Sequence, residues 1–101
     1  MNNFNHHFYI EYYKDLKNLS TDDSYNHFIN HGISEKRIFN EKLINFEYKF
    51  YIKYYNDLKD NSWIDACSHF INYGIKEKRI FNSKLINFEY NFYIKFILKI
   101  Y

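Results

Sequence analysis

The sequence predicts an all-α fold, in which two tandem helical repeats of 42 residues and a C-terminal capping helix form a solenoid-like stack. Three observations predict it. Residues 3–44 align with residues 45–86 without a gap and are identical at 27 of 42 positions, so each copy is one supersecondary unit that buries its apolar face against the next. Within each copy the large apolar residues recur at spacings of three and four, the period of a helix. The only two glycines, Gly32 and Gly74, stand at the same point of both copies, where a helix stop is expected.

The chain of 101 residues is long enough for one domain with a modest core. Its units are repeat 1 (3–44), repeat 2 (45–86) and a partial repeat 3 (87–101). Each opens on Asn-Phe, at Asn3, Asn45 and Asn87, and asparagine is a good helix N-cap. In repeat 2 the first helix is expected from about Glu47 to Lys59, with Phe50, Tyr51, Tyr54, Tyr55 and Leu58 on its core side. Repeat 1 carries Phe8, Tyr9, Tyr12, Tyr13 and Leu16 at the same places.

The second helix is expected to start at Ser20 and Ser62. Each serine has an aspartate three residues on, Asp23 and Asp65, in the capping-box arrangement. It should close at Gly32 and Gly74, with glycine in the left-handed conformation that lacks a Cβ penalty. The following Ile-x-Glu-Lys-Arg-Ile-Phe-Asn reads as a short helical turn leading to a connector. Repeat 3 holds only a first helix, and there Tyr54, Tyr55, Asn56 and Asp57 give way to Phe96, Ile97, Leu98 and Lys99. Phe92, Phe96, Ile97, Leu98, Ile100 and Tyr101 therefore form a candidate interaction surface as well as a cap.

Composition excludes several function classes. A net charge of +2 is far from the basic field of a dedicated nucleic-acid binder. The single cysteine, Cys67, is replaced by Tyr25 in repeat 1, which leaves no disulfide and no repeat-wide metal site. The first residues lack a cationic start and apolar run, so an intracellular location is expected. The most apolar stretch, residues 92–101, is broken by Lys95 and Lys99, and no membrane span is expected. Asn, Lys, Ile, Phe and Tyr make up 63 of the 101 residues; all five have AT-rich codons, so part of the bias reflects the genome.

The pattern Tyr54-Tyr55-Asn56-Asp57-Leu58, His69-Phe70, Gly74, Glu77 and Arg79, matched by Tyr12-Tyr13-Lys14-Asp15-Leu16, His27-Phe28, Gly32, Glu35 and Arg37, resembles the aromatic-rich helical repeats of about forty residues found in mimivirus-type giant-virus proteins and some bacterial glycosyltransferases. Such repeats carry proline before the aspartate, where this chain has Lys14 and Asn56, and glycine between glutamate and arginine, where it has Lys36 and Lys78. The resemblance implies a viral protein, in the host cytoplasm or virion, with a structural, protein-interaction or glycosyltransferase-associated role.

The recurring residues read as structural positions: Asp15, His27, Gly32, Glu35, Arg37 and their counterparts Asp57, His69, Gly74, Glu77, Arg79. Arg37 and Arg79 are the only arginines in a chain that otherwise uses lysine, which implies that a fork-shaped donor is needed to clamp Asp15 or Asp57. His27 and His31 have metal-ligand spacing, yet the second copy has His69 and Tyr73, so no metal or other cofactor is expected. His6 and His7 look incidental. No nucleophile with a base partner recurs, so the chain is not expected to be an enzyme. A protein partner or self-association is the leading expectation. Glycan binding is the alternative, which an exposed aromatic cluster around Trp63 and Tyr73 would favour. Lysine-interleaved tyrosines could stack single-stranded bases, but they fall on the apolar stripe where core packing accounts for them, and no specific nucleic-acid partner is expected.

Overall fold

A computed structural model describes residues 3–86; the capping helix and the candidate surface from Phe92 to Tyr101 lie outside the described residues. What is described is helical, with no strand. Its elements are α1 (His6–Tyr12), a 3-10 turn (Lys14–Leu16), α2 (Thr21–His27), a π-turn (Phe28–Gly32) and a 3-10 turn (Glu41–Leu43). Then come α3 (Tyr48–Tyr54), a 3-10 turn (Asn56–Leu58), α4 (Trp63–His69) and a π-turn (Phe70–Gly74). No helix among the described residues is long and apolar enough to cross a membrane.

The first helices are shorter than their apolar period predicts. α1 is capped by Asn5, whose side chain accepts the Phe8 N–H, while Glu47 before α3 makes no side-chain cap bond. Both helices stop where Tyr13 and Tyr55 turn extended, with Tyr55 at φ −112° and ψ 112°. The reason is a tertiary bond: the Tyr13 and Tyr55 hydroxyls accept the backbone N–H of Ile38 and Ile80, each at 2.6 Å. The 3-10 turn that follows still buries Leu16 and Leu58. Tyr12 and Tyr54, expected in the core, are exposed instead, each against the ring of Phe8 or Phe50.

The second helices start as expected. Ser20 Oγ and Ser62 Oγ accept the N–H of Asp23 and Asp65 at 3.1 and 3.2 Å, satisfying donors that the first helical turn leaves open. Their ends differ from expectation. Neither glycine has positive φ, and the helical path runs through Gly32 and Gly74 as a π-turn. The left-handed residue comes four positions later, at Lys36 (φ 54°) and Lys78 (φ 57°). There the Lys36 N–H bonds Ile33 O and the Arg37 N–H bonds Gly32 O, with the same pair at Lys78 and Arg79. This is a Schellman cap whose C′ residue is lysine.

A side chain in that conformation is strained by roughly 1–2 kcal/mol, so Lys36→Gly and Lys78→Gly are each expected to stabilise the fold by about 1 kcal/mol net of glycine's entropy. A rise in the urea midpoint for each variant, adding in the pair, is the check.

The glycines are needed for space. A Cβ on Gly32 would run into the Tyr9 hydroxyl and come within 2.7 Å of Phe28 Cδ1; one on Gly74 would run into the Tyr51 hydroxyl and come within 3.0 Å of Phe70 Cδ1. These rings form the core. Phe28 meets Phe4, Tyr9 and Phe39 at centroid distances of 5.2, 5.6 and 4.7 Å. Phe70 meets Phe46, Tyr51 and Phe81 at 4.8, 5.7 and 4.8 Å. Each fully buried ring of this kind contributes roughly 1.5–3 kcal/mol. The Trp63 ring crosses to the first series of elements, edge-on to Phe39 at 5.8 Å.

Candidate functional site

The recurring polar residues gather at one place in each series of elements. The turn after α1 carries Asp15, and the Schellman cap delivers Arg37 opposite it. Arg37 Nη1 and Nη2 donate to Asp15 Oδ1 and Oδ2, each at 3.0 Å, and Nε donates to Glu35 Oε1 at 2.7 Å. The guanidinium carbon lies 4.7 Å from the centre of the Tyr13 ring. Arg79 repeats this geometry with Asp57, Glu77 and Tyr55. A bidentate fork with a third bond and a ring beneath it is a task that lysine's point charge cannot perform.

The second cluster joins α1 to α2. The Tyr9 hydroxyl hydrogen-bonds His27 Nδ1 at 2.9 Å directly above Gly32, and Tyr51 bonds His69 Nδ1 at 2.8 Å above Gly74. The ten predicted positions thus resolve into two joints per series: Asp–Arg–Glu, and His over Gly. What the residue pattern missed is that tyrosines complete both: the Tyr13 and Tyr55 rings lie beneath the guanidinium groups, and the Tyr9 and Tyr51 hydroxyls bond the histidines.

His6, which looked incidental, is also engaged. Its Nδ1 lies 2.7 Å from Oγ of the buried Ser24, whose proton goes to Thr21 O at 3.0 Å. The hydroxyl has only one proton, so His6 Nδ1 is the donor. The counterparts are Tyr48 and Ala66, and there the Tyr48 hydroxyl donates to Asn61 O at 3.3 Å instead.

The paired carboxylates and the buried thiol are shifted by their surroundings. The hydrogen bonds from Arg37 and Arg79 hold Asp15 and Asp57 below their ordinary carboxylate value, and the arginines are raised in turn by those same aspartates. Burial pushes the Cys67 thiol up to about 12, away from the reactive thiolate. Among the described residues no three His, Cys, Asp or Glu side chains are grouped so as to hold a metal ion. No family model matches the chain, and no curated protein or solved structure matches it either.

The same shifts fix a pH window. Burial, then the charge of Arg79, lowers His69 from its ordinary 6.5, so the unfolded chain binds more protons below that pH and stability falls as the solution is acidified. Asp15 and Asp57 add a further loss at lower pH. Burial raises Tyr9 and Tyr51 from 10.0 to about 12 and Cys67 from 9.0 to about 12, so their contribution is complete below the unfolded values and lost as pH climbs toward 12. Stability is therefore expected to plateau between about pH 7 and 9. Thermal unfolding across pH 4–11 checks this, and His69→Gln should weaken the first acid step.

Proposed function

We propose that the chain is a non-catalytic helical-repeat module, two solenoid-like units with residues 87–101 as a capping helix, that serves a structural or protein-interaction role. One observation carries this reading: Asp15, His27, Glu35, Arg37 and their counterparts direct their hydrogen bonds into their own unit. Recurrence then preserves a joint, which is what a stack of units requires. The residue pattern that resembles giant-virus repeats, together with the AT-rich composition, supports a viral origin, and with it the host cytoplasm or virion as the location.

A glycan-binding, glycosyltransferase-associated role is the second reading, favoured by one feature. Tyr12 and Tyr54 are exposed and pack on Phe8 and Phe50 at centroid distances of 5.0 and 5.2 Å, giving two similar aromatic platforms. At the place expected around Trp63 and Tyr73, Trp63 is half-buried against Phe39, while Tyr73 is 57% exposed beside His69 and adds a single ring. Screening the folded chain on a glycan array and titrating it with single-stranded DNA separates the readings. The module reading expects no retention of either. Saturable glycan binding that Tyr12→Ala and Tyr54→Ala abolish would replace it, and DNA affinity that falls steeply with salt would point to phosphate contacts.

A further inference from the structure

The same apolar positions are covered in repeat 1 and open in repeat 2. Phe39 is fully buried with Trp63 edge-on against it, and Leu43 is buried too. Their counterparts Phe81 and Leu85 are only half-buried, and Ile75, the counterpart of the half-buried Ile33, is 42% exposed. Ile75, Phe81 and Leu85 line an open hollow of about 240 Å³. A second hollow, of about 300 Å³, runs from Phe81 and Leu85 to the exposed Ile44. The two share Phe81 and Leu85 and so form one apolar groove.

The residues that follow are suited to cover it. Asn87 to Lys95 match Asn45 to Lys53 at every position but Asn91, and then Phe96, Ile97, Leu98 and Lys99 replace Tyr54, Tyr55, Asn56 and Asp57. Two of the replaced residues hold repeat 2 to its own later half: the Tyr55 hydroxyl accepts the Ile80 N–H, and Asp57 accepts the Arg79 fork. Isoleucine has no hydroxyl, and lysine donates hydrogen bonds but accepts none. Whatever follows it, this third copy cannot close on itself in the same way. The other two changes put Phe96 and Leu98 where Tyr54 and Asn56 are exposed, which adds apolar surface in need of a partner. The segment starts two residues after Leu85, and a segment so tethered acts at an effective concentration of about millimolar, far above that of another molecule in dilute solution. We propose that residues 87–101 of the same chain cover the groove, with Phe96, Ile97 and Leu98 against Ile75, Phe81 and Leu85. The proposal rests on the reading of 87–101 as a cap and names the surface that is capped.

Thiol labelling of the full chain tests this. Ile75→Cys places a thiol in the groove, and Ile29→Cys places one at a site that is 44% exposed and lines neither hollow. The native Cys67 is buried, so its labelling reports unfolding. The expected result, with each rate taken relative to the urea-unfolded chain, is that the thiol at position 75 reacts about tenfold more slowly than the one at position 29. Only the fraction of molecules with the segment lifted off admits the reagent. Adding Ile97→Asp and Leu98→Asp should restore the rate at position 75 and leave the rate at position 29 unchanged, with Cys67 still protected. If the two aspartates unfold the chain, Leu98→Asn, which restores the residue type of repeat 2, takes their place with the same expectation. Equal rates at positions 75 and 29 overturn the proposal. So does protection that these variants do not relieve, or protection that grows with protein concentration, which gives the groove to another molecule of the chain. The glycan and DNA measurements do not depend on this labelling, so an open groove removes the cap and leaves the module reading standing.

Discussion

Gly32→Ala is expected to destabilise the chain by about 1–3 kcal/mol, the cost of overpacking a core, although alanine is the better helix former by about 1 kcal/mol. The helical path passes through this residue at negative φ, so backbone conformation does not forbid a side chain. Space does. The added methyl meets the Tyr9 hydroxyl and Phe28 Cδ1 at once. Tyr9 is fully buried and tied to His27, so its far end cannot swing aside without losing that bond. Gly74→Ala meets the same pair of groups in the second copy, the Tyr51 hydroxyl and Phe70 Cδ1, and its penalty should be similar. For a domain of this size each kcal/mol lowers the melting temperature by roughly 4–8 °C. Thermal unfolding of the two variants checks the size.

Phe28→Ala is expected to cost more, about 3–5 kcal/mol, through lost burial and the cavity left behind. Phe28 is wholly buried, and the rings of Phe4, Tyr9 and Phe39 pack around it. Phe39 in turn receives Trp63 from the next unit, so the cavity also loosens the junction. A small domain commonly has only about 5–15 kcal/mol to lose, so this change removes much of the total. Phe28→Leu, which keeps most of the volume, should cost distinctly less. Urea unfolding followed by circular dichroism distinguishes them, with the alanine variant showing a markedly lower midpoint.

The helical class was legible in the residues because apolar spacing of three and four is a local signal. The serine caps could be read because the N-cap bond depends only on neighbours in sequence. The arginine fork could be read because arginine is kept in a chain that otherwise uses lysine. Three features could not be read from the residue period. The left-handed residues at the helix stop are Lys36 and Lys78, where the signal is only the glycine that the resembling repeats carry at that place. Tyr13 and Tyr55 end their helices through a hydroxyl bond to a backbone group 25 residues away, which no local period contains. The His6–Ser24 pair is replaced by Tyr48 and Ala66 in the second copy, so comparison of the copies hid it. Local turns also diverge: Lys17 has ψ 134°, while its counterpart Lys59 remains right-handed helical at ψ −27°.

Gly, Tyr and His at these recurring positions form a structural joint whose glycine makes room for the tyrosine hydroxyl. A double-mutant cycle of Gly74→Ala with Tyr51→Phe, read by urea unfolding, tests it most directly. Tyr51→Phe alone should destabilise by about 1–3 kcal/mol, since it leaves His69 Nδ1 without its partner. Removing the hydroxyl also removes the atom that the new methyl would strike. The predicted result is a double variant clearly more stable than the sum of the two single losses implies; losses that simply add would contradict the claim.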